Sequence, residues 1–206
     1  KQPGFPDREF NMISKILKFV SILAMFSATS SISVAEPVTY EIDPAHTYPS
    51  FEADHLGGLS IWRGKITSTS GTVVLDKVAE TGSVEVHMDM GSIEFGHQGM
   101  NESAINNMNV AEYPAATYTG NLTNFVNGAP TKVEGFLTMH GVSLPVDLDI
   151  DKFQCQPHYR YESESCGADA SAMIDRSDFG MSFGMDRGHL PQIKLLISIE
   201  AHGPES

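Results

Sequence analysis

Two histidines close to acidic residues are the first candidates for chemistry in this chain. His46 lies in Ile42-Asp43-Pro44-Ala45-His46-Thr47, a turn between two predicted strands, and His55 ends the next strand on the same face as Phe51 and Ala53. Paired with Asp43 or Asp54, either imidazole could move a proton or hold a metal. The spacing matches no metal signature and no further ligands cluster nearby, so no metal is expected. A histidine on an apolar strand face is more commonly a hydrogen-bonded core or rim residue. The segment Arg176-Ser177-Asp178-Phe179-Gly180-Met181 mixes charge with large apolar groups. It reads either as the mouth of a cavity, with Arg176 facing Asp178 or an anionic ligand head, or as a turn that plugs a barrel end. Cys155 and Cys166 are the only cysteines. They lack the Cys-x-x-Cys spacing of a redox pair, and zinc would need more ligands, so a disulfide closing a polar hairpin is expected. No nucleophile elbow, phosphate loop, dinucleotide fingerprint or catalytic carboxylate pair is present, and no residue is assigned a catalytic role.

The elements that must position these residues are strands. In Gly82–Met90 the side chains of Val84, Val86, Met88 and Met90 share one face, opposite Glu85, His87 and Asp89. In Val142–Asp151 the same period places Val142, Leu144, Val146, Leu148 and Ile150 inside and Asp147, Asp149 and Asp151 in water. Such alternation is the signature of half-buried antiparallel strands. Further strands are predicted at Val38–Ile42, Ser50–His55, Ser60–Lys65, Gly71–Asp76, Ala115–Val126, Lys132–His140, Ala168–Ile174 and Gln192–Ala201, with Pro145 at an edge or bulge. Turn chemistry at Gly57-Gly58, Asn127-Gly128 and His140-Gly141 separates them. Only Met100–Met108 reads as helix. About ten strands, one short helix and no βαβ rhythm predict an all-β domain, and strands of this length favour a closed antiparallel barrel over a sandwich.

Lys15 and Lys18, the apolar run Phe19 to Phe26 and Ser33-Val34-Ala35 together resemble an export signal with a small-x-small cleavage site. The apolar run is too short to span a bilayer. Residues 1–11 are expected to lie upstream of the true start at Met12, residues 12–35 to be a signal peptide cleaved after Ala35, and residues 36–206 to form one domain in the periplasm. The chain carries 13 basic and 26 acidic side chains. Four of the basic and two of the acidic ones precede Glu36, leaving nine and 24, a formal charge of −15. That surface repels nucleic acid, so no nucleic-acid partner is expected, and it disfavours electrostatic docking on a membrane. Ten methionines and eleven phenylalanines supply adaptable apolar packing, suited to an ordinary core or to the wall of a cavity.

Specific residues resemble the YceI-like family of exported bacterial proteins. The opening is Tyr40-Glu41-Ile42-Asp43-Pro44-Ala45-His46, followed by Phe51 and His55-Leu56-Gly57; then come Gly64, Gly71, Asp76, Met88-Asp89-Met90, Gly96-His97 and Met100-Asn101. Tyr113-Pro114-Ala115-Ala116-Thr117-Tyr118, Val133-Glu134-Gly135-Phe136-Leu137-Thr138, Gly141-Val142, Pro145-Val146 and Cys166-Gly167-Ala168-Asp169-Ala170 follow, and Arg176–Met181 closes the series. Asn107-Met108 departs from the pattern, since similar proteins more often place aromatic groups there. The resemblance covers Tyr40 to about Ala201. It implies a lipocalin-like barrel that binds a long-chain polyisoprenoid in its interior, as a periplasmic carrier or store, with no cofactor. The expected ligand-binding residues are Phe51, Trp62, Phe95, Met100, Met139, Phe179 and Phe183, with His55 and Arg176 nearest a polar head. Transient membrane contact and a homodimer are compatible with this reading. Its rivals are an enzyme of isoprenoid or quinone metabolism using His46 or His55, and a stress-response protein that binds a partner.

Overall fold

Alternating side chains orient the sheet from its first strands onward, and the computed structural model describes residues 36–160 and 162–205. The predicted upstream segment and signal peptide lie outside the described residues. The strands are β1 (Val38–Ile42), β2 (Ser50–His55), β3 (Ser60–Ile66), β4 (Thr69–Asp76), β5 (Thr81–Asp89) and β6 (Ile93–Glu94), then, after the helix α1 (Gln98–Asn107), β7 (Ala115–Thr123) and β8 (Lys132–Met139). They are followed by β9 (Val142–Pro145), β10 (Leu148–Pro157), β11 (Glu164–Asp175) and β12 (Gln192–His202). In β5, Val86 is buried while Glu85, His87 and Asp89 are exposed, as the period of two requires.

All of these strands pair antiparallel, in the order β1, β4, β5, β7, β8, β10, β11, β12, and the ring closes where Glu41 faces His202 and Ile42 faces Ala201. The result is a closed, lipocalin-like barrel with one α-helix. Closure removes the unpaired edges that a long open sheet would expose. The first half of β12 pairs with β2, so the loop between Ile42 and Ser50 splits one long position into β1 and β2. Two apolar clusters fill the wall. The larger includes Tyr40, Leu75, Tyr118, Leu137, Ile174 and Phe179. The smaller gathers Ile66, Met90, Ile93, Val110 and Ala116 under the helix.

Three details differ from the sequence expectation. The strand predicted over Val142–Asp151 is interrupted at Val146-Asp147, although its register on β8 is unbroken, with Pro145 opposite Phe136 and Leu148 opposite Val133. Val146 donates its N–H to the carbonyl of Gly135 at 2.9 Å. The neighbouring Pro145 nitrogen therefore faces away from β8, beyond the last pair of β10 with β11, where no hydrogen is needed. Next, β10 and β11 reach well past their predicted ends, to Pro157 and back from Glu164. A bulge between Ile150 and Lys152 slips the alternation by one residue, so that Phe153 and Cys155 turn inward after it. Cys155 and Cys166 sit directly opposite in that extension and are joined by a disulfide, S–S 2.02 Å. Finally, α1 begins at Gln98, two residues early, where the His97 ring nitrogen accepts the Met100 N–H at 3.3 Å.

Candidate functional site

The inward faces of the barrel do not meet. They enclose a cavity of about 560 Å³ whose walls come from nearly every strand and from α1. Its middle is apolar: Val84, Val86 and Met88 of β5, Leu137 of β8, Ile150 of β10, and Ile193, Leu195, Ile197 and Ile199 of β12. On β11 the inward residues Ala168 and Ala170 are small, which leaves the bore open on that side. The helix presents Met100, Ala104, Asn107 and Met108 to the cavity, the spacing of one helical face. Asn107-Met108, the departure from the family pattern, thus forms part of this wall. The Asn107 amide donates to the Ser103 hydroxyl at 3.1 Å.

Two tyrosine hydroxyls of the cavity lining are committed to fixed partners. Tyr118 donates to the carbonyl of Val146 at 2.9 Å across Gly135. A Cβ on Gly135 would lie 2.5 Å from that hydroxyl oxygen, so the absence of a side chain is what lets the ring cross. Burial pushes the Tyr118 phenol far above its ordinary range, with the nearby Asp147 adding to it. At the other end Tyr40 donates to Glu164 at 2.6 Å, and Lys77 pairs with the same carboxylate. Burial alone would raise Glu164, but the bonds from Lys77 and Tyr40 outweigh it and hold the carboxyl below its usual value. Cys155, Glu164 and Cys166 bring their donor atoms within 4.8 Å of one another, but the bonded sulfurs have no thiolate to offer a metal.

One end of the bore opens to solvent between the β2–β3 hairpin and the segment after β11. Asp54, Trp62, Arg176, Phe183, His189 and Leu190 line it there, and Phe183 is 47 % exposed. Arg176 is the hub of that segment, donating to the carbonyls of Met181 at 2.8 Å and Phe183 at 2.7 Å. Burial lowers its pKa, and Asp175 partly offsets this. Trp62 stacks on His55 with ring centres 4.0 Å apart, and His189 meets His55 edge-on at 5.3 Å.

Of the residues singled out in the sequence, Phe51, Trp62, Phe95, Met100, Met139, Arg176 and Phe183 are brought together around the cavity. Phe51 and Phe95 form an edge-on pair at 5.5 Å over Gly64, where a Cβ would come 2.5 Å from the Phe51 ring. His55 stands behind Trp62 and does not line the cavity. Phe179 is 1 % exposed and packs in the larger cluster of the wall; its carbonyl oxygen lies 2.9 Å from His140 Nδ1. Phe179 is thus a buried residue of the wall and does not line the cavity as expected, while the Arg176–Phe183 backbone borders the mouth. His46 is exposed and pairs with Asp43 at 2.6 Å, and the same Asp43 oxygen is 3.2 Å from His202. None of these three lines the cavity. Sequence reasoning did not single out His189 or Leu190, which sit in an irregular segment with no period to read. The β12 isoleucines and Leu195 were accessible through their alternation.

A hollow antiparallel barrel with an apolar bore and a few polar groups at one mouth has the architecture of a ligand-binding barrel. The chain belongs to the YceI-like family: the family model described as YceI-like domain matches residues 40–201. A UPF0312 protein of Pseudomonas paraeruginosa is 28 % identical over 89 % of this chain and 96 % of its own length. The protein YceI of Salmonella arizonae is 27 % identical over 92 % and 97 %. Among solved structures, BcnA of Burkholderia cenocepacia superposes with a TM-score of 0.60 at 18 % identity, covering 78 % of this chain and 99 % of that one. A polyisoprenoid binding domain from Saccharophagus degradans gives 0.60 at 13 % identity, covering 81 % and 99 %. These structural likenesses establish the shared barrel.

Proposed function

We propose that this protein holds the tail of a long-chain polyisoprenoid in its barrel and acts as a carrier or store in the periplasm, without converting the ligand. The observation that carries the reading is the continuous apolar bore, open at one end and lined by side chains of strands and helix alike. Support comes also from the Saccharophagus degradans barrel, which is described as a polyisoprenoid binding domain. Burying one CH₂ is worth roughly 0.8 kcal/mol, so each five-carbon unit gains on the order of 4 kcal/mol before ordering costs. Retention then needs no strong polar contact, which suits a cavity whose tyrosine hydroxyls, Tyr40 and Tyr118, are already bonded within the wall. The positions of Arg176, Asp54 and His189 at the mouth suit a polar head left near water. The periplasm is proposed from the export-signal pattern of residues 12–35.

The deciding experiment is mass spectrometry of lipid extracted from protein purified from an isoprenoid-producing host, together with incubation with isoprenoid quinones. Co-purified prenyl lipid recovered unchanged is the expected result. Protein that never carries prenyl lipid, or conversion of the quinone that is lost in His46→Gln or His55→Gln, overturns the reading.

A further inference from the structure

Among the described residues eleven large apolar side chains are exposed, and six of them fall in two short segments, 56–61 and 183–190. Leu59 is 73 % and Ile61 55 % exposed. The segments adjoin. The Asp54 carboxylate accepts the N–H of Gly57 in the hairpin tip at 2.9 Å and that of Leu190 at 3.1 Å, so one side chain ties both together. The bore opens between them, past Trp62, Phe183 and Leu190. Apolar side chains therefore extend from the cavity wall to the outside of the molecule, with Asp54, Arg176 and His189 among them.

Charge singles out the same region. Residues 52–65 and 181–190 carry three basic side chains, Arg63, Lys65 and Arg187, against three acidic ones, Glu52, Asp54 and Asp186, and are locally neutral, whereas residues 36–206 hold nine against 24. Glu52 pairs with Arg63 at 2.8 Å, and the Asp54 carboxylate is turned to backbone N–H groups. A lipid headgroup approaching this acidic molecule meets least repulsion at the rim of the cavity. Exposed leucine, isoleucine and phenylalanine on a locally neutral surface settle at the boundary between headgroups and acyl chains, with binding that scales with the apolar area buried.

We infer that this rim is a membrane-docking surface: the hairpin tip and the 183–190 segment enter the bilayer surface and bring the mouth against the acyl region. A polyprenyl tail then moves between bilayer and bore without crossing water. The purpose of docking rests on the lipid-binding reading above, but docking itself is measured separately from it.

The test is co-sedimentation with vesicles of phosphatidylethanolamine and phosphatidylglycerol. Wild type is compared with a Leu59→Ser, Ile61→Ser double variant and with Met173→Ser, which removes an exposed apolar group on the barrel wall. Wild type and Met173→Ser should sediment with the vesicles, and the double variant should partition about ten-fold less. Its melting temperature should be unchanged, because neither residue lines the cavity. Equal sedimentation of the double variant, or none for wild type, overturns docking. So does a wild-type dimer that the double variant abolishes while vesicle binding is unaffected, which would make the rim an interface between two copies. Vesicle binding that depends on Leu59 and Ile61 in a protein devoid of prenyl lipid upholds docking and counts instead against the carrier reading.

Discussion

Glu164 joins three parts of the barrel at the end of β11 away from the mouth, since β1 reaches it through Tyr40 and the turn after β4 through Lys77, while its own strand carries the disulfide. Its folded pKa lies below the ordinary carboxylate value. The native state therefore binds fewer protons here than the unfolded chain, and this contribution is complete above about pH 4.5 and is lost as pH falls through the depressed folded value. Glu164→Gln should lower stability at neutral pH and flatten the acid limb of a melting-temperature profile. An acid limb as steep as that of wild type would mean that other carboxylates dominate it. Gly135 offers a second test at this scale, because a methyl group there would meet the Tyr118 hydroxyl at 2.5 Å and the Thr119 carbonyl at 2.6 Å. The backbone oxygen cannot swing aside. Gly135→Ala should cost about 1–3 kcal/mol in denaturant unfolding, as overpacking does in a filled wall.

At the scale of elements, β10 runs on past its pairs with β8 at Leu148 and Asp149 to Pro157, held there in a hairpin by β11, in a polar stretch of sequence. The Cys155–Cys166 bridge closes a loop with a sequence separation of 11. In the loop-entropy picture that constraint on the unfolded chain is worth roughly 2–3 kcal/mol. The double variant Cys155→Ser, Cys166→Ser should lose about that much by chemical denaturation, with amide exchange rising first in 152–170; unchanged stability would place the constraint elsewhere. This hairpin also marks how far the sequence could be read. Where one face is apolar and the other charged, as in β5 and β12, alternation revealed both the strand and its inward residues. At Asp151 a single extra residue broke the period, and Gln154, Gln156 and Glu164 masked what remained. The mouth was harder still. Arg176 was legible as a charge among apolar groups, but its carbonyl partners at Met181 and Phe183 depend on turns between Ser177 and Gly184 that no periodic pattern encodes. The same turns send Phe179 into the wall, so that a large apolar residue next to a mouth does not face it.

For the whole molecule the governing question is whether the barrel is hollow in solution, because composition alone fits a filled core and a lined cavity equally well. Small-to-large substitution separates the two. In a filled interior an added ring forces neighbours off their rotamers and costs about 1–3 kcal/mol. In a bore with about 560 Å³ of open space, a benzyl group placed on the wall finds room and gains contacts. Ala170 is the position to choose: it is buried, faces the cavity from the middle of β11, and pairs with Ile150 and Ile197, whose side chains share its face. Ala170→Phe should leave stability within about 1 kcal/mol of wild type, measured on delipidated protein by denaturant unfolding. Prenyl lipid recovered from the variant should fall sharply, since the ring occupies the path of the tail. Delipidation before unfolding matters, because a ligand bound only to the native state adds stability by mass action and would hide the comparison. A variant that is destabilised by several kcal/mol would describe a solid barrel. A variant that is stable and fully loaded would place the lipid elsewhere than in the bore.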